Sequence, residues 1–396
     1  MIRKKIVLAV TIDDSLQFLR GYPEYLVERG WEVHVVSNAG PRLAQLSSMA
    51  HVHTHAIKMD RRPNLVQDMR SLSRWLALTR RIRPVAVSVG TPKAGLLGTV
   101  SAWALRVPIR IYLLRGLRLE TSTGVSRSMF ALAERIAMMC ATHVLAISPS
   151  LRRRAVELRL VSAAKIRVLG HGSSNGTDTA EFDSSRFDIS ELNRLRRECG
   201  LVPGIPVVGY VGRLTRDKGL FVLADALDAL FAQGTSAQLL VVGGVDDETG
   251  SDALRRLEGL TVPTAIVGHV TNPAIYYALM DVFCLPSYRE GFGNVVIEAS
   301  ASSVPVVTSN ATGVVDAISD GETGLMSTVG DSVDLARALG AILRDSGLAA
   351  QLGQAGRQWV TSRFARTDVQ RAYADDLQAI LMSMPRARPE PTESPA

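Results

Sequence analysis

Two glutamates flank a glycine-rich turn in the segment PSYREGFGNVVIEA (286–299). Glu290 comes directly before Gly-Phe-Gly-Asn, and Glu298 follows eight residues later, after an apolar run. The glycines of the turn allow a close approach of the backbone to a ligand. A carboxylate can accept two hydroxyl groups at once, so the pattern favours binding of a sugar or a ribose diol. The competing interpretation makes Glu290 a turn residue and Glu298 a solvated helix position.

A second polar segment, GRLTRDKG (212–219), places Arg213 and Lys218 after a strand-like run. The planar guanidinium can clamp phosphate oxygens, and the lysine adds a mobile point charge five residues later. Two such charges could neutralise a pyrophosphate leaving group without a metal ion. The glycine spacing fits neither a dinucleotide-binding fingerprint nor a P-loop. Read alone, the segment is a weak signal because Arg and Lys beside turns are usually solvated.

The first half of the chain has two basic segments that also follow predicted strands. They are VGTPKAGLLG (89–98), with Lys93, and LLRGLRLE (113–120), with Arg115 and Arg118. These side chains could give one wall of a cleft positive charge. A solvated basic surface is an equally weighted alternative.

Short apolar runs alternate with longer segments of helical period along the chain. Candidate strands are 5–10, 32–37, 84–89, 109–114 and 143–148, then 206–212, 238–244, 264–269, 282–287 and 304–309. Runs this apolar, separated by amphipathic stretches, indicate parallel strands covered by helices on both faces. The sequence therefore predicts an α/β protein with two doubly wound sheets. Ligands bind such sheets at the carboxyl ends of the strands, where the polar segments lie.

The segment 168–188 is rich in Gly, Ser, Asn and Asp and marks the predicted crossing between two domains. We predict an N-terminal domain over 1–172 and a C-terminal domain over 173–365. An amphipathic helix is predicted over 366–384. The last residues, 385–396, contain four prolines and little to bury, so a disordered tail is predicted there.

Charge is divided unevenly between the two halves. Residues 1–180 contain 27 Lys and Arg against 11 Asp and Glu, whereas residues 181–396 contain 18 against 27. The basic half could face nucleic acid, an anionic membrane or a phosphorylated substrate. Nucleic acid is disfavoured, because aromatic residues make up only 5% and no recognition motif accompanies the charge.

The composition also constrains the compartment. No stretch approaches the roughly 18 apolar residues that a membrane-spanning helix needs. The three cysteines are widely separated and odd in number, which favours a reducing compartment over a disulfide framework or a metal site. We expect a cytoplasmic protein that docks peripherally on the inner face of the cell membrane.

The motifs resemble those of the glycosyltransferases of family 4, which have the GT-B fold. The E-x7-E element of that family matches Glu290 and Glu298, and GRLTRDKG precedes it by about seventy residues. SNGTDTAEF (174–182) resembles the interdomain element of the family, and the helix at 366–384 resembles its crossing helix. TPKAGLLG and RGLRLE are similar to the bacterial exopolysaccharide, capsule and O-antigen branch, whose members often extend lipid-pyrophosphate-linked sugars.

This resemblance implies a role for each candidate residue. Arg213 and Lys218 would bind the donor diphosphate, and Glu290 would hold the donor sugar; these three form the catalytic set. The implied donor site is Gly212, Arg213, Lys218, Gly268, His269, Val270, Glu290, Gly291, Phe292, Gly293, Asn294, Val295 and Glu298. The acceptor side of the cleft would contain Lys93, Arg115, Gly116 and Arg118.

Within the donor site, the resemblance has Glu298 bond the ribose and the turn at 268–270 cup the base. One departure concerns Arg115-Gly116, where many members of the family carry His-Gly with the histidine on the donor sugar.

The resemblance implies a retaining transfer of a hexosyl or N-acetylhexosaminyl unit. The expected donor is a nucleoside diphosphate sugar, with UDP as the expected nucleotide, and the expected acceptor is a lipid-pyrophosphate-linked saccharide. No metal or other cofactor is expected. The alternatives are a phosphorylase or a sugar-nucleotide epimerase of the same architecture, or a non-catalytic nucleotide-sugar-binding subunit.

Overall fold

The computed structural model describes residues 3–60 and 64–384 and contains two parallel β-sheets. The predicted disordered tail at 385–396 lies outside the described residues. The first sheet has seven strands in the order β3-β2-β1-β4-β5-β6-β7. They are β1 (Lys4–Ala9), β2 (Trp31–Ser37), β3 (Val52–Ala56), β4 (Ala86–Gly90), β5 (Ile109–Leu114), β6 (His143–Ala146) and β7 (Ile166–Arg167).

The second sheet has six strands and the same winding, β10-β9-β8-β11-β12-β13. They are β8 (Val207–Val211), β9 (Gln238–Val242), β10 (Thr264–Gly268), β11 (Val282–Leu285), β12 (Val306–Ser309) and β13 (Leu325–Ser327). In each sheet the chain starts near the middle, winds to one edge and then returns to build the other. This is the Rossmann-like arrangement, so the predicted α/β class with two such domains is confirmed.

Helices connect the strands and cover the sheets. Within the described residues they are α1 (Tyr22–Glu28), α2 (Pro41–Leu46), α3 (Leu65–Ile82), α4 (Pro92–Ala104), α5 (Gly124–Cys140), α6 (Pro149–Glu157), α7 (Ile189–Glu198), α8 (Leu220–Ala232), α9 (Glu248–Glu258), α10 (Ala274–Tyr277), α11 (Asn294–Ala301), α12 (Ser332–Arg344), α13 (Ser346–Arg363) and α14 (Arg366–Ser383). Every residue of β8 and β9 is buried, as expected for strands packed on both faces. None of the helices in the described part of the chain is long and apolar enough to cross a membrane.

The ten predicted strands are all present, with ends shifted by a few residues at most. Three strands were not predicted: β3, β7 and β13. β3 reads VHTHA and so lacks an apolar run, while β7 and β13 have only two and three residues. All three lie at sheet edges, where a strand is covered less completely and needs less apolar sequence.

The C-terminal helix α14 returns to the first half of the molecule. The chain reaches it by way of Phe364, whose carbonyl oxygen accepts a hydrogen bond of 2.8 Å from the Thr177 amide. Arg167 of the first sheet then binds Asp376 of α14 at 2.7 Å. Gly176 must be a glycine, because its φ is +63° and a Cβ there would lie 2.5 Å from the Phe364 carbonyl oxygen. Helix α14 therefore ties the two halves together beside the interdomain segment.

Candidate functional site

The loops that follow the strands of one sheet face those of the other. The backbones of the two halves approach each other closely at Gly291, after β11, and Arg115, after β5. A Cβ on Gly291 would lie 2.3 Å from the Arg115 carbonyl oxygen, so any larger residue would push the halves apart. Gly313 packs against the same turn. Its φ is +87°, and a Cβ there would lie 2.5 Å from the Glu290 carbonyl oxygen, so only glycine fits. The glycine turn predicted from sequence is therefore the point where the two halves meet.

Hydrogen bonds between side chains and backbone groups of the two halves surround this point. They join Arg289 Nε to Thr121 Oγ1 (2.8 Å), Thr312 Oγ1 to Glu120 Oε1 (3.0 Å) and the Gly313 amide to Ser150 Oγ (2.7 Å). In the opposite direction, the Ser150 amide of the first half donates to Asp316 Oδ2 of the second at 2.9 Å. These contacts hold the halves close around the site.

Glu290 and Lys218 form an ion pair beside the glycine turn. The Lys218 ammonium donates to Glu290 Oε1, and the Ser287 hydroxyl donates to the same oxygen at 2.9 Å. Both charged side chains are 15% exposed, so the pair is largely shielded from water. Oε2 of Glu290 has no hydrogen-bond partner among residues 3–60 and 64–384. The fixed carboxylate therefore has one oxygen that can still accept a hydrogen bond.

Arg213 lies nearer the surface of the same cleft. Its guanidinium forms an ion pair with Asp246, which follows β9, and its side chain is 54% exposed. The Tyr210 hydroxyl donates to the Arg213 carbonyl oxygen at 2.8 Å and so fixes the backbone after β8. An incoming diphosphate would have to compete with Asp246 for this cation.

Glu298 lies in α11, and its carboxyl group is shielded from solvent beside the Tyr277 hydroxyl. Burial raises the pKa of Glu298 to about 7, although the Tyr277 hydroxyl, which donates to Oε2 at 2.9 Å, lowers it. Glu181 raises the pKa further, whereas Arg366 and Arg20 lower it. A carboxyl group with this pKa changes its charge near neutral pH. Its capacity to accept two hydroxyl groups changes with the charge.

The turn between Glu290 and α11 offers backbone groups to a ligand. Helix α11 begins at Asn294, and Gly293 before it has φ +89°. Helix N-termini with free N–H groups attract anions and polar oxygens. The Phe292 ring is 1% exposed and packs against Phe364, with 5.0 Å between centroids. The ring of Phe292 therefore belongs to the core, and only its backbone can face a ligand.

The other predicted donor residues lie at the carboxyl ends of neighbouring strands. Gly212 follows β8, and its amide donates to the Val242 carbonyl oxygen at 3.0 Å. Gly268 ends β10 with φ +81°, and open space lies where a Cβ would project. His269 is exposed and Val270 is half-buried. Contact of this turn with a nucleotide base stays a prediction.

The predicted acceptor residues have different surroundings. Gly116 has φ +134° and faces the Gly291 amide. Lys93 binds Asp68 of α3 at 2.7 Å, and the Arg118 guanidinium lies 5.0 Å from the centroid of the Phe130 ring. Arg115 and Gly116 are therefore next to the donor turn, while Lys93 and Arg118 contact other elements of the first half.

Several partners in the site were not predicted. Ser287, Asp246 and Tyr277 each bind one of the predicted charged residues. Ser287 lies three residues before Glu290, so the turn itself carried a signal for it. Asp246 and Tyr277 lie 33 and 21 residues from their partners, and no local pattern links them. No group of three or more His, Cys, Asp or Glu that could hold a metal ion was found among the described residues.

Comparison with known proteins gives the family. A sequence profile described as glycosyl transferases group 1 matches residues 193–359, and one described as a glycosyl transferase 4-like domain matches residues 17–172. The capsular polysaccharide biosynthesis glycosyltransferase CapM of Staphylococcus aureus is 38% identical over 366 residues, which cover 92% of this chain and 94% of CapM.

Solved structures have the same fold at low sequence identity. A glycosyltransferase from Rickettsia africae has a TM-score of 0.79 and 18% identity, and covers 97% of this chain and 100% of its own. Anabaena HepE in complex with UDP and glucose has a TM-score of 0.79 and 19% identity, and covers 95% of this chain and 100% of its own. The chain therefore belongs to the glycosyltransferases of family 4, with the GT-B fold, and within them to the capsule type.

Proposed function

We propose that the protein transfers a hexosyl or N-acetylhexosaminyl unit from a UDP-sugar to a lipid-pyrophosphate-linked saccharide, with retention at the anomeric carbon. CapM is named for capsular polysaccharide synthesis, which supports a role in making a surface polysaccharide. HepE, a protein of the same fold, has been solved with UDP-glucose, which supports a UDP-sugar as the donor.

The observation that carries this proposal is the environment of Glu290. Lys218 and Ser287 both donate to its Oε1, while Oε2 has no hydrogen-bond partner among the described residues. A carboxylate held in this way is suited to orient a sugar hydroxyl. The same two contacts stabilise its negative charge and make it a poor nucleophile. Glu290 therefore positions the donor sugar and does not attack it.

The chemistry then depends on charge stabilisation. As the glycosidic bond breaks, negative charge accumulates on the departing diphosphate, and Lys218, Arg213 and the N–H groups of the turn would bind it. Each such preorganised donor contributes about 3 kcal/mol to the transition state. The departing phosphate can take the proton of the acceptor hydroxyl on the same face of the sugar, which gives retention without a covalent intermediate. Two cations and a helix N-terminus would serve here without a divalent metal ion.

Membrane docking is the second part of the proposal. Helix α5 exposes Val125 (86%), Met129 (41%) and Leu132 (58%) at helical spacing, so they share one face. Arg127 and Arg135 of the same helix are also exposed. Apolar side chains bordered by cations suit an anionic lipid surface, where each Lys or Arg contributes about 1 kcal/mol. This face would hold the protein peripherally on the inner side of the cell membrane.

Flotation with liposomes tests the docking face. Wild-type protein should float with anionic vesicles at low salt and release as salt rises, whereas Val125→Ser/Leu132→Ser should float less. Equal binding to neutral and anionic vesicles would contradict the electrostatic part. Unchanged flotation of the double variant would remove α5 from the docking surface.

Product analysis tests the transfer. Purified protein is incubated with a panel of nucleotide sugars, with and without a lipid-pyrophosphate-linked saccharide and with a chelator, and UDP release and the anomeric configuration of the product are measured. We expect acceptor-dependent release of UDP with a retained anomer. Glu290→Gln should lose about 100-fold in rate, whereas Glu258→Gln, at an exposed position of α9, should not.

The same assay separates the alternatives. An epimerised nucleotide sugar without acceptor would indicate an epimerase, and turnover that requires inorganic phosphate would indicate a phosphorylase. Binding of a nucleotide sugar with no turnover under any condition would indicate a non-catalytic subunit.

A further inference from the structure

Arg115 has a guanidinium group that is buried in part and has no hydrogen-bond or ion-pair partner among the described residues. Its Nε and Nη1 atoms are buried and have no hydrogen-bond partner among the described residues. Proteins rarely bury a charged donor unless it is paired, since an unpaired one loses its hydration without compensation. Burial also lowers the pKa of Arg115, to about 10, which leaves it a cation at neutral pH.

The surroundings of Arg115 make room for this cation but do not neutralise it. A Cβ on Gly90, at the end of β4, would lie 2.6 Å from Arg115 Nε, so the glycine is what admits the side chain. On another side the Arg115 guanidinium carbon lies 5.1 Å from the centroid of the Phe18 ring. Tyr373 of α14 is a polar neighbour, but its hydroxyl already donates to the Ser173 carbonyl oxygen at 3.2 Å.

The position of Arg115 places it on the substrate side of the cleft. A Cβ on Gly291 of the donor turn would lie 2.3 Å from the Arg115 carbonyl oxygen, and the Arg115 guanidinium group lies near Gly90, which ends β4, and Phe18, which follows β1. The carboxyl ends of such strands are where ligands bind.

The cations assigned to the donor diphosphate, Arg213 and Lys218, belong to the other half and each already has a carboxylate partner. A guanidinium fork matches the two oxygens of a carboxylate or a phosphate. The partner that Arg115 lacks therefore has the chemistry of an oxyanion carried by a substrate.

We infer that Arg115 binds a second anionic group in the cleft, distinct from the donor diphosphate. This inference deepens the proposed function and rests on it for the identity of the substrates. The oxyanion has two sources with one chemistry: a carboxylate on the transferred sugar, or a phosphate of the acceptor pyrophosphate. In either case Arg115 is a specificity-determining residue that selects charged over neutral substrates.

Calorimetry with simple probes tests the inference. With UDP saturating, wild-type protein is titrated with two anionic probes, glucuronate and inorganic pyrophosphate, and with glucose as the neutral control for both. One anionic probe should bind at least about tenfold more tightly than its control, as expected for a charge-assisted bidentate pair. Arg115→Gln should abolish that difference, and Arg115→Lys should keep part of it. Tighter binding of glucuronate would identify the donor sugar as the source of the oxyanion, and tighter binding of pyrophosphate would identify the acceptor.

Equal binding of the anionic and neutral probes, or unchanged selectivity in Arg115→Gln, would overturn the inference. A tenfold loss of affinity for UDP itself in Arg115→Gln would also overturn it, because the oxyanion would then be the donor diphosphate. If wild-type protein does not bind UDP, the proposed function fails, and the probes are titrated without UDP. The difference between wild type and Arg115→Gln then decides the fate of Arg115 alone.

Thermal unfolding without ligand supplies a second readout. Because the guanidinium has no partner in the unliganded protein, Arg115→Met should unfold at the same temperature as wild type or higher. A clearly lower unfolding temperature would assign Arg115 a structural role and overturn the inference.

Discussion

UDP should bind more tightly as pH rises through about 7, because Glu298 must be ionised to accept two ribose hydroxyl groups. Burial raises the pKa of this carboxyl group to about 7, the Tyr277 hydroxyl lowers it, and Glu181 raises it. Below this pKa the protonated group can offer fewer acceptor sites. We therefore expect the contribution of Glu298 to binding to be lost as pH falls through about 7 and to be present above it.

The size of the effect follows from the ionised fraction. With a pKa of about 7, about a tenth of the Glu298 carboxyl groups are ionised at pH 6 and about nine tenths at pH 8. If only the ionised form bonds the ribose, the association constant rises about tenfold across this range. The phosphate of UDP also titrates near pH 6, at about the second phosphate pKa. That change affects every variant equally, so the ratio of wild-type to variant affinity isolates Glu298.

Isothermal titration calorimetry with UDP at pH 6, 7 and 8 measures this ratio. Glu298→Gln cannot titrate, so its affinity should follow the ligand alone. At pH 8 it should bind about 10- to 100-fold more weakly than wild type, since hydrogen bonds to a charged group contribute about 1.5–3 kcal/mol. Tyr277→Phe is the matched control, because it removes a group that lowers the pKa of Glu298. Its transition should move to higher pH.

Parallel affinity curves for wild type and Glu298→Gln would refute the assignment of Glu298 to the ribose. A transition in Tyr277→Phe that moved to lower pH would contradict the assigned effect of the Tyr277 hydroxyl.

Further predictions concern the cleft and the core. Gly291→Ala should reduce the transfer rate about 100-fold, because its Cβ would lie 2.3 Å from a carbonyl oxygen of the other half. Gly259→Ala is the control and should keep its rate, because its Cβ would lie no nearer than 3.5 Å to any atom beyond the two adjacent residues. A steady-state transfer assay compares the two variants. Burial raises the pKa of Glu134 to about 7, so the folded protein binds the proton of this carboxyl group more strongly than the unfolded chain does. The protein therefore loses stability as pH rises from about 4.5 through 7. The free energy of unfolding of Glu134→Gln should therefore exceed that of wild type by up to about 3 kcal/mol at pH 8.5 and by little at pH 4.5. Thermal melts measure both proteins at both pH values, and an equal difference between variant and wild type at the two would contradict this. Burial lowers the pKa of His34 and His55 to about 4, so wild type should lose stability as pH falls from about 6.5 through 4, and urea unfolding of His34→Gln/His55→Gln should show a smaller loss.

The fold was predictable because the central strands leave a strong imprint on the sequence. A strand such as β8 is buried along its whole length, so both faces demand apolar residues and the run is unbroken. β3 carries His53 and His55, and its side chains are mostly half-buried or exposed. Its place in the sheet comes from pairing with β2, a contact that no local pattern records.

The site was predictable only in part, for a related reason. The glycine turn and Lys218 stand in short segments after strands, so their types and spacing carried a signal. The contacts that join the halves, such as Thr312 with Glu120, connect residues 192 positions apart. The missing partner of Arg115 was also outside the reach of sequence, because it depends on Gly90 and Phe18 enclosing the side chain.

The central claim is that Lys218, held by Glu290 beside the glycine turn, binds the diphosphate of a UDP-sugar without a divalent ion. Calorimetric titration with UDP in the presence of a chelator tests it most directly. The proteins compared are wild type, Lys218→Met and, as a control in the first half of the chain, Lys165→Met. We predict one site per chain in wild type and in the control, and an affinity about 10- to 100-fold weaker in Lys218→Met. The absence of binding heat in wild type, or equal affinity in wild type and Lys218→Met, would contradict the claim.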